Sequence, residues 1–143
     1  MVAQHGYSGT PLPKKLGIKE GASVVLVHAP DDASALIAPL PDGVRLGRRI
    51  GANADVVVAF FTRRAALERE FDRLRSGIHD AGGLWIAWPK RASGVATDIT
   101  EDVVREIASA AGLVDNKVCA IDATWSGLRV VVRRENRQRR VTG

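Results

Sequence analysis

Three apolar runs constrain this chain more than anything else in it: Ser23–His28 (SVVLVH), Asp55–Phe61 (DVVVAFF) and Leu84–Trp88 (LWIAW). They are near-continuous rather than alternating, and rich in β-branched and aromatic side chains. A strand reads this way when both its faces are covered, as in a parallel sheet flanked by helices. With 143 residues, 45% of them apolar, the chain has material for one such domain around one core.

The stretches between the runs supply the helices. Met1–Lys19 is polar and punctuated by glycine and proline, and reads as an extended arm anchored by Leu12, Leu16 and Ile18. Pro30 stops the first strand. Asp31 or Asp32 can cap a short helix through Leu36 and Ile37, ending before Pro39. Leu40–Gly43 is a turn, and Val44–Leu46 reads as a short strand near an edge. After the second strand Thr62 can cap a helix in which Leu67, Phe71, Leu74 and Ile78 form one apolar stripe. Gly82-Gly83 opens the third strand, and a loop, Pro89–Ile99, leaves it. Thr100 then stands as an N-cap, with Glu101 and Asp102 suited to the positive end of a helix dipole. Val103, Val104, Ile107, Ala108 and Ala111 form that helix's buried face, and Gly112 follows at the C′ position. Val114–Asp122 is a fourth strand and Leu128–Val132 a last one. The link between them is too short for a crossover, so these two form an antiparallel hairpin.

Strand–helix units followed by a hairpin imply a three-layer α/β fold with a mostly parallel sheet. The domain is expected over residues 20–133, with the arm before it and a disordered tail over 134–143. The formal net charge is +5, and Arg133–Gly143 alone holds five arginines against one glutamate. The body is therefore close to neutral and offers no basic face of its own. Nucleic acid is expected to be met only weakly, through Arg134, Arg137, Arg139 and Arg140. Cys119 is the single cysteine, which rules out an intrachain disulfide and fits a reducing compartment. The first residues have no apolar run of the signal-peptide kind and no stretch is long enough for a membrane helix. The expected location is cytoplasmic, away from membranes.

The order of elements resembles the second half of a class I Rossmann-like methyltransferase. A strand like Asp55–Phe61 leads to a helix; a Gly-Gly-led strand ending in proline, here GGLWIAWP, precedes another helix and an antiparallel hairpin. The resemblance implies a Rossmann-like domain. In that family a glycine-rich loop after the first strand and an acidic residue after the second hold S-adenosylmethionine. Here the first loop is His28-Ala29-Pro30-Asp31-Asp32, without glycine, and Arg45, Arg48 and Arg49 stand near the second position. Those departures argue against S-adenosylmethionine as the cofactor. Three longer motifs, Gly6–Ile18, Leu84–Asp98 and Gly112–Arg133, are similar to those of a small bacterial family of single-domain proteins, and that resemblance implies no activity.

In an open α/β sheet a ligand binds outside the carboxyl ends of the strands. That rule selects His28, Thr62, Trp88, Lys90, Arg91, Ser93, Asp122, Thr124 and Trp125. Lys90-Arg91-Ala92-Ser93-Gly94 offers two cations, a hydroxyl and backbone N–H groups to a small anion. Trp88 and Trp125 either hold a flat ligand or fill the site as core, whereas Trp85 points to the other face from Trp88 and reads as core. His28 is either structural or paired with Asp122 or Asp98 as acid and base. Asp122, Thr124 and Ser126 also read as a self-bonded turn, and Cys119 as a small buried hydrophobe. The three histidines and the cysteine lack metal-ligand spacing, so no metal is expected. The leading expectation is a non-catalytic binding or interaction module for a small anionic ligand or a protein partner. The alternatives are a divergent methyltransferase-like transferase with a non-standard cofactor site, and a nucleic-acid-associated protein acting through its tail.

Overall fold

The computed structural model of the chain describes residues 10–136. Six strands are present there: β1 Ser23–Val27, β2 Arg45–Gly47, β3 Ala54–Phe60, β4 Ile78–Pro89, β5 Leu113–Ala120 and β6 Trp125–Val132. They form one sheet in the order β2-β1-β3-β4-β6-β5. The β2–β1, β1–β3 and β3–β4 pairs are parallel, and β4–β6 and β5–β6 antiparallel. The α/β class and the parallel majority are those the apolar runs imply, and the closing hairpin is the one the short link between the last two strands implies.

Strand alternation divides the runs between two cores. Val25, Val27, Val57, Ala59, Leu84, Ile86 and Trp88 point to one face, where α3 (Arg64–Ser76) and α4 (Glu101–Ala110) cover them. Leu67, Phe71 and Leu74 are the buried stripe of α3, and each full burial contributes about 1.5–3 kcal/mol. Val24, Leu26, Val56, Val58, Phe60 and Trp85 point to the other face. There Leu16, Ile18, Ala33 and Ile37 cover them, from the two short helices α1 (Leu12–Lys15) and α2 (Ala33–Leu36) and the residues after each. This is why β1, β3 and the second half of β4 do not alternate polar and apolar: neither of their faces meets water.

Several local expectations are corrected. The described part of the arm is not wholly extended. Pro11 and Pro13 sit where a first helical turn tolerates proline, and residues 12–15 make that turn. The tail likewise begins with a 3-10 turn, Arg134–Asn136, rather than with disorder; Arg137, Arg139 and Arg140 lie outside the described residues, as do residues 1–9. Thr62 does not cap α3. The N-cap is Arg63, without a side-chain cap bond, because Asp98 reaches across and accepts from the Arg64 N–H at 2.6 Å. Thr100 does cap α4, accepting from the Val103 N–H at 3.2 Å, and Gly112 stands past its end with φ +86°.

β4 begins well before Gly82-Gly83. Ala54 pairs with Ile78 but Val56 pairs with Gly83, so His79–Gly82 bulges from the sheet. The hairpin strands are also displaced: β5 ends at Ala120 and β6 starts at Trp125. Asp122 causes this by accepting from the N–H groups of Thr124 and Trp125, both at 2.8 Å, which tightens the turn and frees Trp125 to enter the strand.

Candidate functional site

β1, β3 and β4 end on one edge of the sheet, and the antiparallel β6 begins there, with Trp125 paired to Pro89. The segments around His28, Thr62, Trp88–Ser93 and Asp122–Trp125 therefore reach this edge together. Hydrogen bonds tie them: Lys90 N–H to the Thr124 carbonyl at 2.7 Å, Phe61 N–H to the Ala87 carbonyl at 3.0 Å, and the Thr97 hydroxyl to the Thr62 carbonyl at 2.7 Å.

The sheet nevertheless separates the two aromatics. Trp88 is 7% exposed and packs on the α3–α4 side. Trp125 packs on the other side, edge-on to Phe60 with ring centroids 5.1 Å apart. They cannot sandwich one flat ligand. Trp85 is fully buried, its indole N–H donating to the Leu16 carbonyl at 3.0 Å.

The Lys90–Gly94 loop is a 3-10 turn that consumes most of its own donors. Ser93 N–H donates to the Lys90 carbonyl at 3.0 Å and Gly94 N–H to the Arg91 carbonyl at 3.3 Å. The Ser93 hydroxyl donates to the Lys90 carbonyl at 2.7 Å and accepts from Val95 N–H at 3.1 Å. What remains for an anion is the pair of cations: neither Lys90 nor Arg91 has an acidic partner among the described residues.

His28 is the least ordinary residue of the edge. Its φ is +55°, in the left-handed region that costs a non-glycine residue on the order of 1–3 kcal/mol, though histidine is among the side chains that enter it most often. Its imidazole Nε2 lies 2.9 and 3.1 Å from the two carboxylate oxygens of Glu70, and the ring stands edge-on to Phe61 at 5.3 Å. Neither expected partner is used: Asp98 caps α3 and Asp122 holds its own turn. Glu70 carries no motif that would have flagged it. The one signal is its place beside the Leu67–Phe71–Leu74 stripe, where a side chain on α3 turns back toward β1.

A second carboxylate–histidine pair, also missed from sequence, lies at the opposite, amino edge. His79, in the bulge, approaches Asp55 Oδ1 at 2.6 Å, and Asp55 Oδ2 accepts from the Ser23 N–H at 2.8 Å. Ala81 N–H donates to His79 Nδ1 at 3.1 Å. Nδ1 must then be unprotonated, so Nε2–H is the donor to Asp55. These groups border a cavity of about 420 Å³ with Lys19, Glu20 and Arg129. The Ser23 N–H first, and His79 next, hold the Asp55 carboxyl below its ordinary value of 3.8, against an opposing effect of burial. A depressed carboxyl stabilises the fold above its unfolded value, and that stabilisation is lost as the pH falls through the folded one. The gap in thermal midpoint between the native protein and Asp55→Asn is therefore expected to be full above about pH 5 and to close below pH 3.8. Thermal scans of both from pH 2 to 6 check this; a gap that widens on acidification contradicts it.

Among the described residues no group of three or more His, Cys, Asp or Glu side chains could hold a metal ion, and no helix is long and apolar enough to cross a membrane. Burial pushes the Cys119 thiol up, against the pull of Lys15 and Lys117, which makes it a poor nucleophile.

No protein-family model matches the chain, and no curated protein matches it by sequence. Solved structures do match its fold. A SAM-dependent methyltransferase from Aquifex aeolicus superposes with a TM-score of 0.60 at 14% identity, over 82% of this chain and 85% of that one. The mitomycin 7-O-methyltransferase MmcR gives 0.63 at 9% identity, over 78% of this chain, which spans 49% of that protein's length. Magnesium protoporphyrin IX methyltransferase (ChlM) from Synechocystis PCC 6803, with SAH bound, gives 0.54 at 13% identity, over 79% and 74% of the two chains. At these identities the likeness is one of fold: the domain is Rossmann-like, of the class I methyltransferase kind. The expectation against S-adenosylmethionine is overturned here. Of these neighbours one is named as SAM-dependent and another holds SAH, and the end of β1 here turns through a left-handed His28, φ +55°, without a glycine.

Proposed function

We propose that this chain is a divergent methyltransferase-like protein that holds S-adenosylmethionine at the carboxyl edge of its sheet. The observation that carries the reading is the left-handed turn of His28 at the end of β1, on a fold shared with SAM-dependent methyltransferases. A turn of that hand lets the chain reverse tightly from the strand into the loop that follows, the role of the first glycine in a glycine-rich loop. The carboxylates of Asp31 and Asp32, exposed and without side-chain partners among the described residues, suit the cofactor's ammonium or ribose hydroxyls. Lys90 and Arg91 suit its carboxylate. When bound, the cofactor supplies an electrophilic methyl group on its sulfonium; the chain supplies the walls and the charges.

The test is thermal unfolding with S-adenosylmethionine, S-adenosylhomocysteine, ATP and inorganic phosphate in parallel. A ligand at 100 times its dissociation constant adds about 2.7 kcal/mol, which for a domain of this length raises the midpoint by roughly 6–10 °C. A rise with either adenosyl compound and none with phosphate supports the proposal. A rise with phosphate and ATP alone, abolished by Lys90→Ala with Arg91→Ala, supports instead an anion-binding module at that loop, the reading favoured by its two unpaired cations. A flat panel counts against both.

A further inference from the structure

We propose that His28, oriented by Glu70, is the proton acceptor of the carboxyl-edge site, and that the molecule it serves presents a weakly acidic O–H or N–H group. This rests on the methyltransferase-like reading and adds to it the class of second substrate. The argument comes from comparing the two carboxylate–histidine pairs. In the amino-edge pair both imidazole nitrogens are spent: Nε2 on Asp55 and Nδ1 on the Ala81 N–H. That histidine has no lone pair to offer and serves to pin the bulge. In the carboxyl-edge pair both Glu70 oxygens face the same nitrogen, Nε2, at 2.9 and 3.1 Å. A carboxylate only accepts, so Nε2 carries the proton and Nδ1 the lone pair. Among the described residues nothing is bonded to that Nδ1.

An exposed histidine–glutamate pair ordinarily contributes little to stability, and His28 is 52% exposed on its side chain. A left-handed backbone and an edge-on contact with Phe61 are more than such a pair requires. They fix where the open nitrogen stands: at the end of β1, on the edge where ligands bind in this fold. The proton step balances simply. The X–H bond of the substrate breaks, its electron pair stays on X, and the proton forms an N–H bond at Nδ1. The resulting imidazolium keeps its Nε2–H on Glu70, whose charge it faces. X, holding the pair, becomes the nucleophile. His28 is the catalytic residue in this scheme and Glu70 a positioning residue.

Alkylation by iodoacetamide tests this on the intact chain, with products assigned to each nitrogen by peptide mapping against authentic standards. His28 is expected to be modified at Nδ1, at least tenfold faster than His79. Glu70→Gln, whose amide oxygen can still accept from Nε2, keeps the Nδ1 product. Glu70→Ala releases the tautomer and yields a mixture. Modification of His28 at Nε2 in the native protein, or at a rate no greater than that of His79, overturns the proposal. So does an unchanged product ratio in Glu70→Ala. Saturating S-adenosylhomocysteine is a separate arm: slower alkylation of His28 supports its place beside the cofactor. Unchanged alkylation with Nδ1 selectivity intact overturns the cofactor reading of this edge, and the proton acceptor's role in it, without touching the geometry of the pair.

Discussion

Trp85→Ala is expected to remove about 3–5 kcal/mol of unfolding free energy and roughly 10–15 °C of thermal midpoint. Trp85 is fully buried in the middle of β4, on the face opposite the two long helices. Its ring closes that core from three directions. Leu16 and Ile18 lie in the same cluster from the N-terminal segment, and Ile121 from the hairpin turn. A Cβ placed on Gly127 of β6 would come within 3.1 Å of the indole. Its N–H donates to the Leu16 carbonyl, so the ring is also a buried polar tie of residues 12–18 to the sheet. Truncation leaves a cavity that backbone on every side is too constrained to fill, and strands that carbonyl. Trp85→Phe separates the two effects. It keeps most of the bulk but leaves the carbonyl unpaired, at a cost of about 1–3 kcal/mol. Urea denaturation of the three proteins measures both. A loss under 1 kcal/mol for the alanine variant would mean that the N-terminal segment is not docked as described.

The three apolar runs were enough to set the parallel majority of the sheet, because short β-branched runs between turn signals suit strands buried on both faces, and the short link after Asp122 was enough to set its hairpin. Asp122–Trp125 was legible as a self-bonded turn for a similar reason: aspartate and its neighbours bond locally, and local bonds follow from adjacency. What could not be read is every pairing made across the fold. Asp98 caps α3 from 34 residues away, so the nearby Thr62 looked like the cap. Glu70 meets His28 across 42 residues, so Asp98 and Asp122 looked equally able to do so. The opposition of Trp88 and Trp125 depends on the register between β4 and β6. Two strand ends sharing an edge say nothing about which face each ring takes. Most instructive is the first loop. Composition says that it has no glycine, and yet β1 ends in a left-handed residue, because a dihedral angle is not a residue type. His28 takes the left-handed conformation at a cost that its neighbours cover.

The adjacent glycines at the end of the bulge are expected to respond unequally to one added methyl group. At Gly82 a Cβ would meet the carbonyl oxygens of Ala54, Asp55 and His79 at 2.9, 3.0 and 3.2 Å. All three are backbone, two of them on β3, and none can rotate aside. Gly82→Ala must therefore open the bulge or separate β4 from β3, at a cost of about 2–3 kcal/mol. The damage should reach the His79–Asp55 bond, since Gly82 closes the segment that carries His79. At Gly83 the Cβ would overlap the guanidinium of Arg129, the far end of a flexible side chain. Arg129 can swing away, giving up contacts that include its 3.3 Å bond to Asn116, a bond worth about 1 kcal/mol. The methyl group also restricts the unfolded chain, returning roughly 0.4–1 kcal/mol, so Gly83→Ala should cost clearly less than Gly82→Ala. Denaturant midpoints of the two variants decide the matter: two equal losses, or the larger loss at Gly83, would mean that Arg129 is fixed and the bulge pliant. The sequence presents the pair as one Gly-Gly signal. The two residues are there for different reasons, the first because backbone crosses backbone, the second because an arginine lies over it.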